Sequence, residues 1–136
     1  MSIKYRIIES EQLSIVEYNG MITYDDVLFL INDLHSDKKL HNCTKRLIDL
    51  RNCKFVFPAE KIANISNKIA SITKSNTIEA FLIDTPKETA YSILYAKIMG
   101  SYGIRSKIFT TPIRAIMFLK LKENESLLKA YNCDII

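Results

Sequence analysis

Strand-like and helix-like segments alternate along this chain, and this alternation constrains its fold more than any other feature. Period-2 patterns and short apolar runs predict five strands, at residues 3–8, 12–18, 45–50, 78–84 and 104–109. Apolar residues spaced three and four apart predict four main helices, at residues 24–36, 58–74, 86–102 and 112–121. The order β-β-α-β-α-β-α-β-α predicts an α/β domain with a mixed, mostly parallel five-stranded sheet that begins with an antiparallel hairpin.

Threonine stands where several of these helices begin. Thr23 with Asp26 three positions later forms a variant of the capping box, and Thr85 and Thr111 each precede a proline. We therefore expect the side chains of Thr85 and Thr111 to cap their helices. Pro58 is expected in the first turn of the second helix, and one or two last helical turns are predicted near residues 127–131.

The chain has 136 residues and contains no linker, repeat or low-complexity tract, which predicts one domain spanning residues 1–136. It has only three glycines, and neither G-x-G-x-x-G nor G-x-x-x-x-G-K-[ST] occurs. This excludes enzymes that hold nucleotide phosphates in a glycine-rich loop.

Charge and cysteine content narrow the partners and the compartment. The 19 basic and 15 acidic residues are dispersed, and the only adjacent basic pairs are Lys38-Lys39 and Lys45-Arg46. No clustered basic face for nucleic acid is therefore expected. Three cysteines without CxxC spacing do not form a disulfide framework, and no apolar run reaches the length of a membrane span. We expect a cytoplasmic protein with no integral membrane segment.

Four short segments resemble those of a known superfamily. They are residues 20–26 before the first helix, Arg46–Arg51 and Phe81–Asp84 at strand ends, and Ile104–Phe109 before the last helix. Over residues 3–121 the chain resembles the STAS-like superfamily, which includes bacterial anti-anti-sigma factors and the cytoplasmic domains of sulfate transporters. It is most similar to small stand-alone bacterial SpoIIAA-like domains, which have an affinity to CRAL-TRIO lipid-transfer proteins. The resemblance implies a SpoIIAA-like (STAS-like) fold.

One departure from the superfamily concerns regulation. Phospho-switching anti-anti-sigma factors carry a serine just after the aspartate of the third strand. Here Asp49 is followed by Leu50, Arg51, Asn52 and Cys53. A serine switch of the usual kind is therefore not expected.

The carboxyl ends of the parallel strands are where such sheets usually bind ligands. The end of the third strand supplies Asp49 and Arg51, and the end of the fourth supplies Asp84 and Thr85. Helix N-termini at the same edge favour anions, so an anionic small molecule or an acidic partner group could bind there. The alternative is that Thr85 only caps its helix while Asp49 and Arg51 bond to loop amides or to each other.

Two aromatic groups have open roles. Phe55 and Phe57 lie in a segment predicted as a loop, where they either cap the core beneath the second helix or form an apolar element for a partner or pocket. Tyr91 and Tyr95 lie on one side of the third helix. They either pack against the sheet or form the wall of a pocket, with an apolar ring and a polar tip.

Metal and nucleophile chemistry have weak support. His35, His41 and Cys43 have no recognised zinc spacing, so no metal and no cofactor are predicted. Cys53 is placed on the loop before the second helix, with Arg51 nearby but no histidine close in sequence to serve as a base.

These observations favour a non-enzymatic regulatory or interaction module. Its docking surface for a protein partner or small anionic ligand would comprise Asp49, Arg51, Phe55, Phe57, Asp84, Thr85 and Tyr91. The alternative is a carrier of lipid or another apolar ligand, and a Cys53-dependent enzyme ranks third. Alternation in the first and fifth strands suggests an incompletely covered sheet face, which could form a homodimer.

Overall fold

The computed structural model describes residues 3–121 and confirms the predicted fold class and element order. The five strands are β1 (Ile3–Ile8), β2 (Leu13–Ile22), β3 (Lys45–Phe55), β4 (Ile78–Leu82) and β5 (Arg105–Phe109). They form one sheet in the order β1-β2-β3-β4-β5. β1 pairs antiparallel with β2, and the other neighbours pair in parallel.

Four α-helices cover the two faces of this sheet unequally. They are α1 (Tyr24–Ser36), α2 (Lys61–Ser71), α3 (Pro86–Gly100) and α4 (Pro112–Phe118). The first three helices bury the larger apolar core against one face, which we call the three-helix face. On the opposite face, which we call the α4 face, α4 packs on a smaller core that includes Leu47, Ala80 and Leu82. Among the helices of residues 3–121, none combines the length and the apolar character needed to cross a membrane.

The second and third strands are longer than predicted. β2 continues through Asn19 and Gly20, which were expected to end it, and Gly20 pairs with Cys53 of β3. A register shift after Glu17 precedes this extension, and the positive φ of Gly20, +79°, suits a residue without a side chain. The prediction of a loop over Asn52–Phe57 is therefore wrong as far as Phe55, and Cys53 lies in a strand.

The second helix starts later than predicted. α2 begins at Lys61, and Pro58 lies before it in a turn. The Pro58 carbonyl accepts a hydrogen bond from the Lys61 N–H at 3.1 Å. The expectation that Pro58 occupies the first helical turn is wrong. The predicted turns near residues 127–131 lie outside the described residues.

Helix capping follows the prediction at one start only. Thr23 and Asp26 form the predicted capping box. Thr85 and Thr111 occupy the N-cap positions of α3 and α4, but neither side chain accepts a hydrogen bond from a helix amide. The Thr85 hydroxyl instead donates to the Glu88 carboxylate at 2.5 Å, and the Thr111 hydroxyl is buried without a partner in the described structure. The predicted side-chain caps at these two positions are therefore wrong.

Candidate functional site

Asp49 and Arg51, two residues of the predicted site, form an ion pair with each other. The Arg51 Nε and Nη2 atoms lie 3.0 and 2.8 Å from the two carboxylate oxygens of Asp49. The Arg51 backbone N–H also donates to Asp49, at 3.1 Å. Asp49 lies two residues beyond Leu47 and so shares the α4 face of the sheet. This pairing matches the structural alternative given for these residues.

The start of α3 is joined to the end of β3 by three side chains. Glu88 accepts hydrogen bonds from the Phe55 N–H, at 3.0 Å, and from the Thr85 hydroxyl. The Lys87 Nζ donates to the Phe55 carbonyl at 2.6 Å, and the Tyr91 hydroxyl donates to the Phe57 carbonyl at 2.7 Å. These bonds hold the chain after β3 against α3.

A carboxylate from the protein itself therefore occupies the start of α3. Burial alone would raise the pKa of Glu88, but hydrogen bonds from Thr85, from Phe55 and from its own amide outweigh burial. The pKa of Glu88 consequently lies below its ordinary value, and the side chain is held as an anion. An external anion at this helix start would have to compete with it.

Phe55, Phe57 and Tyr91 form what we call the aromatic cluster. The Phe55 ring centroid lies 5.1 Å from that of Phe57 and 5.9 Å from that of Tyr91, and the Phe57 and Tyr91 centroids are 5.7 Å apart. All three side chains are buried within the three-helix core. Of the two alternatives for Phe55 and Phe57, the structure supports the buried one, and Tyr91 and Tyr95 pack against the sheet.

The seven residues proposed from sequence therefore lie in two environments. Phe55, Phe57 and Tyr91 are interior residues of the three-helix face, with Thr85 at the border of this group. Asp49 and Arg51 pair on the other side of the sheet, and Asp84 is exposed at the end of β4. They share the carboxyl edge of the sheet but not one continuous surface.

The aromatic cluster forms one wall of a cavity, so its residues also take the pocket-lining role that the sequence left open. The cavity has a volume of about 60 Å³ and lies between the sheet and α1, α2 and α3. Aliphatic side chains of α1 and α2 complete the wall, among them Leu34, Ile62 and Ile65, and α3 contributes its tyrosines and Ser92. The polar side chains that reach it include Arg46, Glu79 and Tyr95, which lie together.

These polar residues belong to a row across the three-helix face. Ser14, Arg46, Glu79 and Ser106 occupy matching register positions on β2, β3, β4 and β5. Glu79 is fully buried and accepts hydrogen bonds from Arg46 Nη1 at 2.6 Å, Tyr95 at 2.8 Å and Ser106 at 2.7 Å. Arg46 Nη2 also donates to the Thr73 hydroxyl at 3.1 Å.

The electrostatics of this row are mutually supporting. Burial would lower the pKa of Arg46, but the Glu79 carboxylate more than offsets this and raises it. Burial and the negative charge of Glu79 raise the pKa of Tyr95 well above its ordinary value. Arg46 therefore stays charged, and Tyr95 stays a neutral hydrogen-bond donor. The sequence carried a signal for this pair, because Arg46 and Glu79 each stand at the second position of a strand, directly before apolar residues. The two residues were not recognised as partners from the sequence.

A surface cleft adjoins the cavity at the amino-terminal ends of the parallel strands. The cleft measures about 340 Å³, and its lining includes His35, His41, Cys43 and Lys74. Leu34 and Arg46 line both the cleft and the cavity. No three histidine, cysteine, aspartate or glutamate side chains among residues 3–121 are arranged to hold a metal ion.

Cys53 is poorly suited to act as a nucleophile. It is buried, and its thiol donates to the Leu50 carbonyl at 3.4 Å. Burial, together with the negative charges of Glu88, Asp49 and Asp84, raises the pKa of Cys53 to about 12. A thiol in this environment remains protonated at neutral pH.

Comparison with known proteins supports the fold assignment. No protein-family model and no curated protein sequence matches the chain. Among solved structures, it is similar to an uncharacterised protein of the DUF3478 family with a SpoIIAA-like fold from Shewanella loihica PV-4. The two have 15% sequence identity and a TM-score of 0.57, and the match covers 87% of this chain and 92% of the other. The chain thus has a SpoIIAA-like fold, as its sequence motifs indicated.

Proposed function

We propose that this protein is a non-enzymatic module that binds a small apolar ligand between its sheet and helices α1, α2 and α3. The cavity of about 60 Å³ beside the aromatic cluster carries this proposal. Concave, mostly apolar sites with a few placed polar groups are typical of small-molecule binding. The hydroxyls of Tyr91 and Tyr95 are already bonded to Phe57 and Glu79, so their rings are the surfaces offered to a ligand.

The cavity volume limits what the closed form can hold. An apolar protein cavity of roughly 150 Å³ is known to admit benzene, and this cavity is smaller, at about 60 Å³. The closed form thus suits a group of only a few heavy atoms. A lipid tail would require α1 and α2 to move apart, and these helices are linked by a hydrogen bond from Asn64 to the Tyr24 hydroxyl.

Two observations favour this proposal over the other functions considered. Glu88 already supplies an anion at the start of α3, which weakens the case for a free anionic ligand there. The raised pKa of the buried Cys53 thiol argues against cysteine-dependent catalysis. Ligand binding in the cavity of the three-helix face requires neither displacement of the Glu88 carboxylate nor deprotonation of the Cys53 thiol.

Native mass spectrometry and NMR test this proposal directly. We expect purified protein to carry an apolar adduct, or to bind xenon with shifts of the methyl signals of Ile48, Ile62 and Ile65, which line the cavity. The variant Val27→Leu, which adds a methylene to the cavity wall, should weaken xenon binding. Leu119→Ala, in the α4-face core, is the matched control and should leave these three shifts unchanged. Protein that carries no adduct and shows no shift at the three isoleucines would refute the proposal.

A second candidate, docking of a protein partner at the carboxyl edge of the sheet, is favoured by exposed apolar residues there. Met21 near the end of β2 is 70% exposed, and Val56 just after β3 is 40% exposed. The exposed Asp84 lies at the end of β4 in the same edge. Cross-linking of the Met21→Ser/Val56→Ser variant should lose partners that the wild-type protein captures. Met117→Ser, at an exposed position of α4, is the control, and equal capture by all three proteins would count against this candidate. The homodimer stays a prediction.

A further inference from the structure

Leu34 and Arg46 line both the cavity and the surface cleft, so these two side chains separate the two spaces. We propose that the ligand is a monocarboxylate with a short apolar chain, its carboxylate bound in the cleft at Arg46 and its chain directed into the cavity. This inference rests on the proposed function and specifies the class of ligand. It places the opening of the site at the amino-terminal ends of the strands, opposite the edge predicted from sequence.

Arg46 is positioned to contact both parts of such a ligand. Its hydrogen bonds to Glu79 and Thr73 use two of its five N–H groups in the described structure. Its side chain is 13% exposed, so the guanidinium lies at the border between interior and solvent. A guanidinium at such a border offers paired N–H groups that match the two oxygens of a carboxylate.

Glu79 does not depend on Arg46 alone. The Tyr95 hydroxyl donates to the same carboxylate oxygen as Arg46, and Ser106 donates to the other. If Arg46 turns partly toward a ligand, Glu79 therefore keeps two hydrogen bonds. The network permits a shift of the guanidinium without leaving a buried carboxylate unbonded.

The charge of the cleft favours an anion. Its ionisable lining comprises Arg46, Lys74, His35, His41 and Cys43, and no carboxylate lines it among the described residues. α1 and α2 both end beside the cleft, and the negative ends of their dipoles oppose an anion. The attraction therefore depends on the charge of Lys74 and on that of Arg46, which the Glu79 carboxylate offsets in part.

Isothermal titration of the full chain with four matched probes tests this inference. The probes are butanoate, butan-1-ol, butylammonium and acetate, which separate the contributions of charge and chain and have chains short enough for the cavity. We expect butanoate to bind roughly tenfold or more tightly than butan-1-ol, because hydrogen bonds to charged groups contribute that much. Butylammonium and acetate should show no binding at the same concentrations.

Two variants locate the carboxylate. Lys74→Gln removes an exposed charge of the cleft, and Arg46→Gln/Glu79→Gln replaces the buried ion pair by a neutral pair. Both should weaken butanoate binding several-fold and leave butan-1-ol binding unchanged. Lys97→Gln, on the exposed side of α3, is the matched control and should bind butanoate as the wild type does.

The outcomes separate this inference from the proposed function. Equal binding of butanoate and butan-1-ol, or butanoate binding unaffected by Lys74→Gln and by the double variant, would overturn the carboxylate assignment and leave an apolar site. Failure of all four probes and of xenon to bind would overturn both proposals. A folded double variant is verified by its circular dichroism, and if it does not fold, Lys74→Gln and the comparison of probes on the wild type decide the result.

Discussion

Arg46 Nη1 lies 2.6 Å from Glu79 Oε2, in an ion pair that joins the neighbouring strands β3 and β4 beneath the helices. Glu79 is fully buried, and the pair lies between a surface cleft and an interior cavity. A buried pair of this kind costs desolvation energy, and removing one partner leaves the other charge without compensation.

The ion pair should therefore show strong coupling in stability. Glu79→Leu is expected to lower the free energy of unfolding by about 3–5 kcal/mol, because it leaves Arg46 without its carboxylate. The double variant Arg46→Met/Glu79→Leu should recover most of that loss. Urea unfolding of the two variants and the wild type measures the difference. If Glu79→Leu lowers the free energy of unfolding by less than about 1 kcal/mol, Arg46 does not depend on this carboxylate as a buried charge would.

Glu88 should make stability depend on pH. Its folded-state pKa is lowered, so the stabilisation by its carboxylate is present above the ordinary glutamate pKa and is lost as pH falls through the folded value. The stability difference between wild type and Glu88→Gln should accordingly be constant near pH 7 and shrink below about pH 4.5, the ordinary value. At pH 7 we expect a loss of about 1–3 kcal/mol, because buried donors lose a charged acceptor. Glu9→Gln, at an exposed position, is the control, and its stability should follow that of the wild type at every pH. A difference between wild type and Glu88→Gln that grows as the pH falls would contradict the lowered pKa of Glu88.

Cys53 should resist modification in the folded protein. With a pKa of about 12, roughly one thiol in ten thousand is ionised at pH 8, and the side chain is also buried. In the Cys43→Ser/Cys133→Ser background, reaction with a thiol reagent should occur only as fast as the protein opens. Urea should accelerate it to the rate of a free thiol. Rapid modification in buffer would show that Cys53 is accessible and would reopen the enzymatic hypothesis.

The Tyr91 hydroxyl should contribute to stability beyond the contacts of its ring. Tyr91→Phe removes its bond to the Phe57 carbonyl and should cost about 1 kcal/mol. Tyr91→Ala also removes a wall of the cavity and should cost about 3–5 kcal/mol. Thermal unfolding measures both changes. Tyr102→Phe, which loses an exposed hydrogen bond to Asn67, is the control, and an equal effect at both tyrosines would refute a special role for the buried bond.

Two glycines near the end of α3 should respond in opposite ways to alanine. Gly100 is helical with open space around the position of a Cβ atom, so Gly100→Ala should stabilise by about 0.5–1 kcal/mol. Gly103 has a φ of +80°, and its Cβ would lie 3.3 Å from the Ser75 carbonyl oxygen. Gly103→Ala should destabilise by about 1 kcal/mol or more. Denaturation midpoints test the pair, and equal shifts would contradict this account.

Local sequence patterns were sufficient for the succession of elements. The alternation of apolar and polar residues in β1 and β5 follows from the geometry of a strand. The spacing of Ile62, Ile65 and Ile69 by three and four residues follows from the geometry of a helix. The error at Asn19-Gly20 has a physical cause. This dipeptide favours a turn, but pairing of Gly20 with Cys53 extends both strands, and that pairing is a long-range contact.

The candidate site was only partly predictable for the same reason. Phe55, Phe57 and Tyr91 were recognised as aromatic residues with two alternative roles, and their burial beside one cavity depends on how α3 packs over the end of β3. The pairing of Asp49 with Arg51 was foreseeable, since residues two apart on a strand share a face. The occupation of the α3 start by Glu88 was not, because its second partner is the backbone of a distant strand.

The α/β class, the order of the elements and the likeness to SpoIIAA-like domains follow from the sequence alone, because the apolar period and the short strand-end motifs are local properties. The pairing of Arg46 with Glu79 and the cavity between sheet and helices arise only from tertiary packing. The two residues are 33 positions apart. They meet because parallel pairing of β3 with β4 places them side by side beneath the helices.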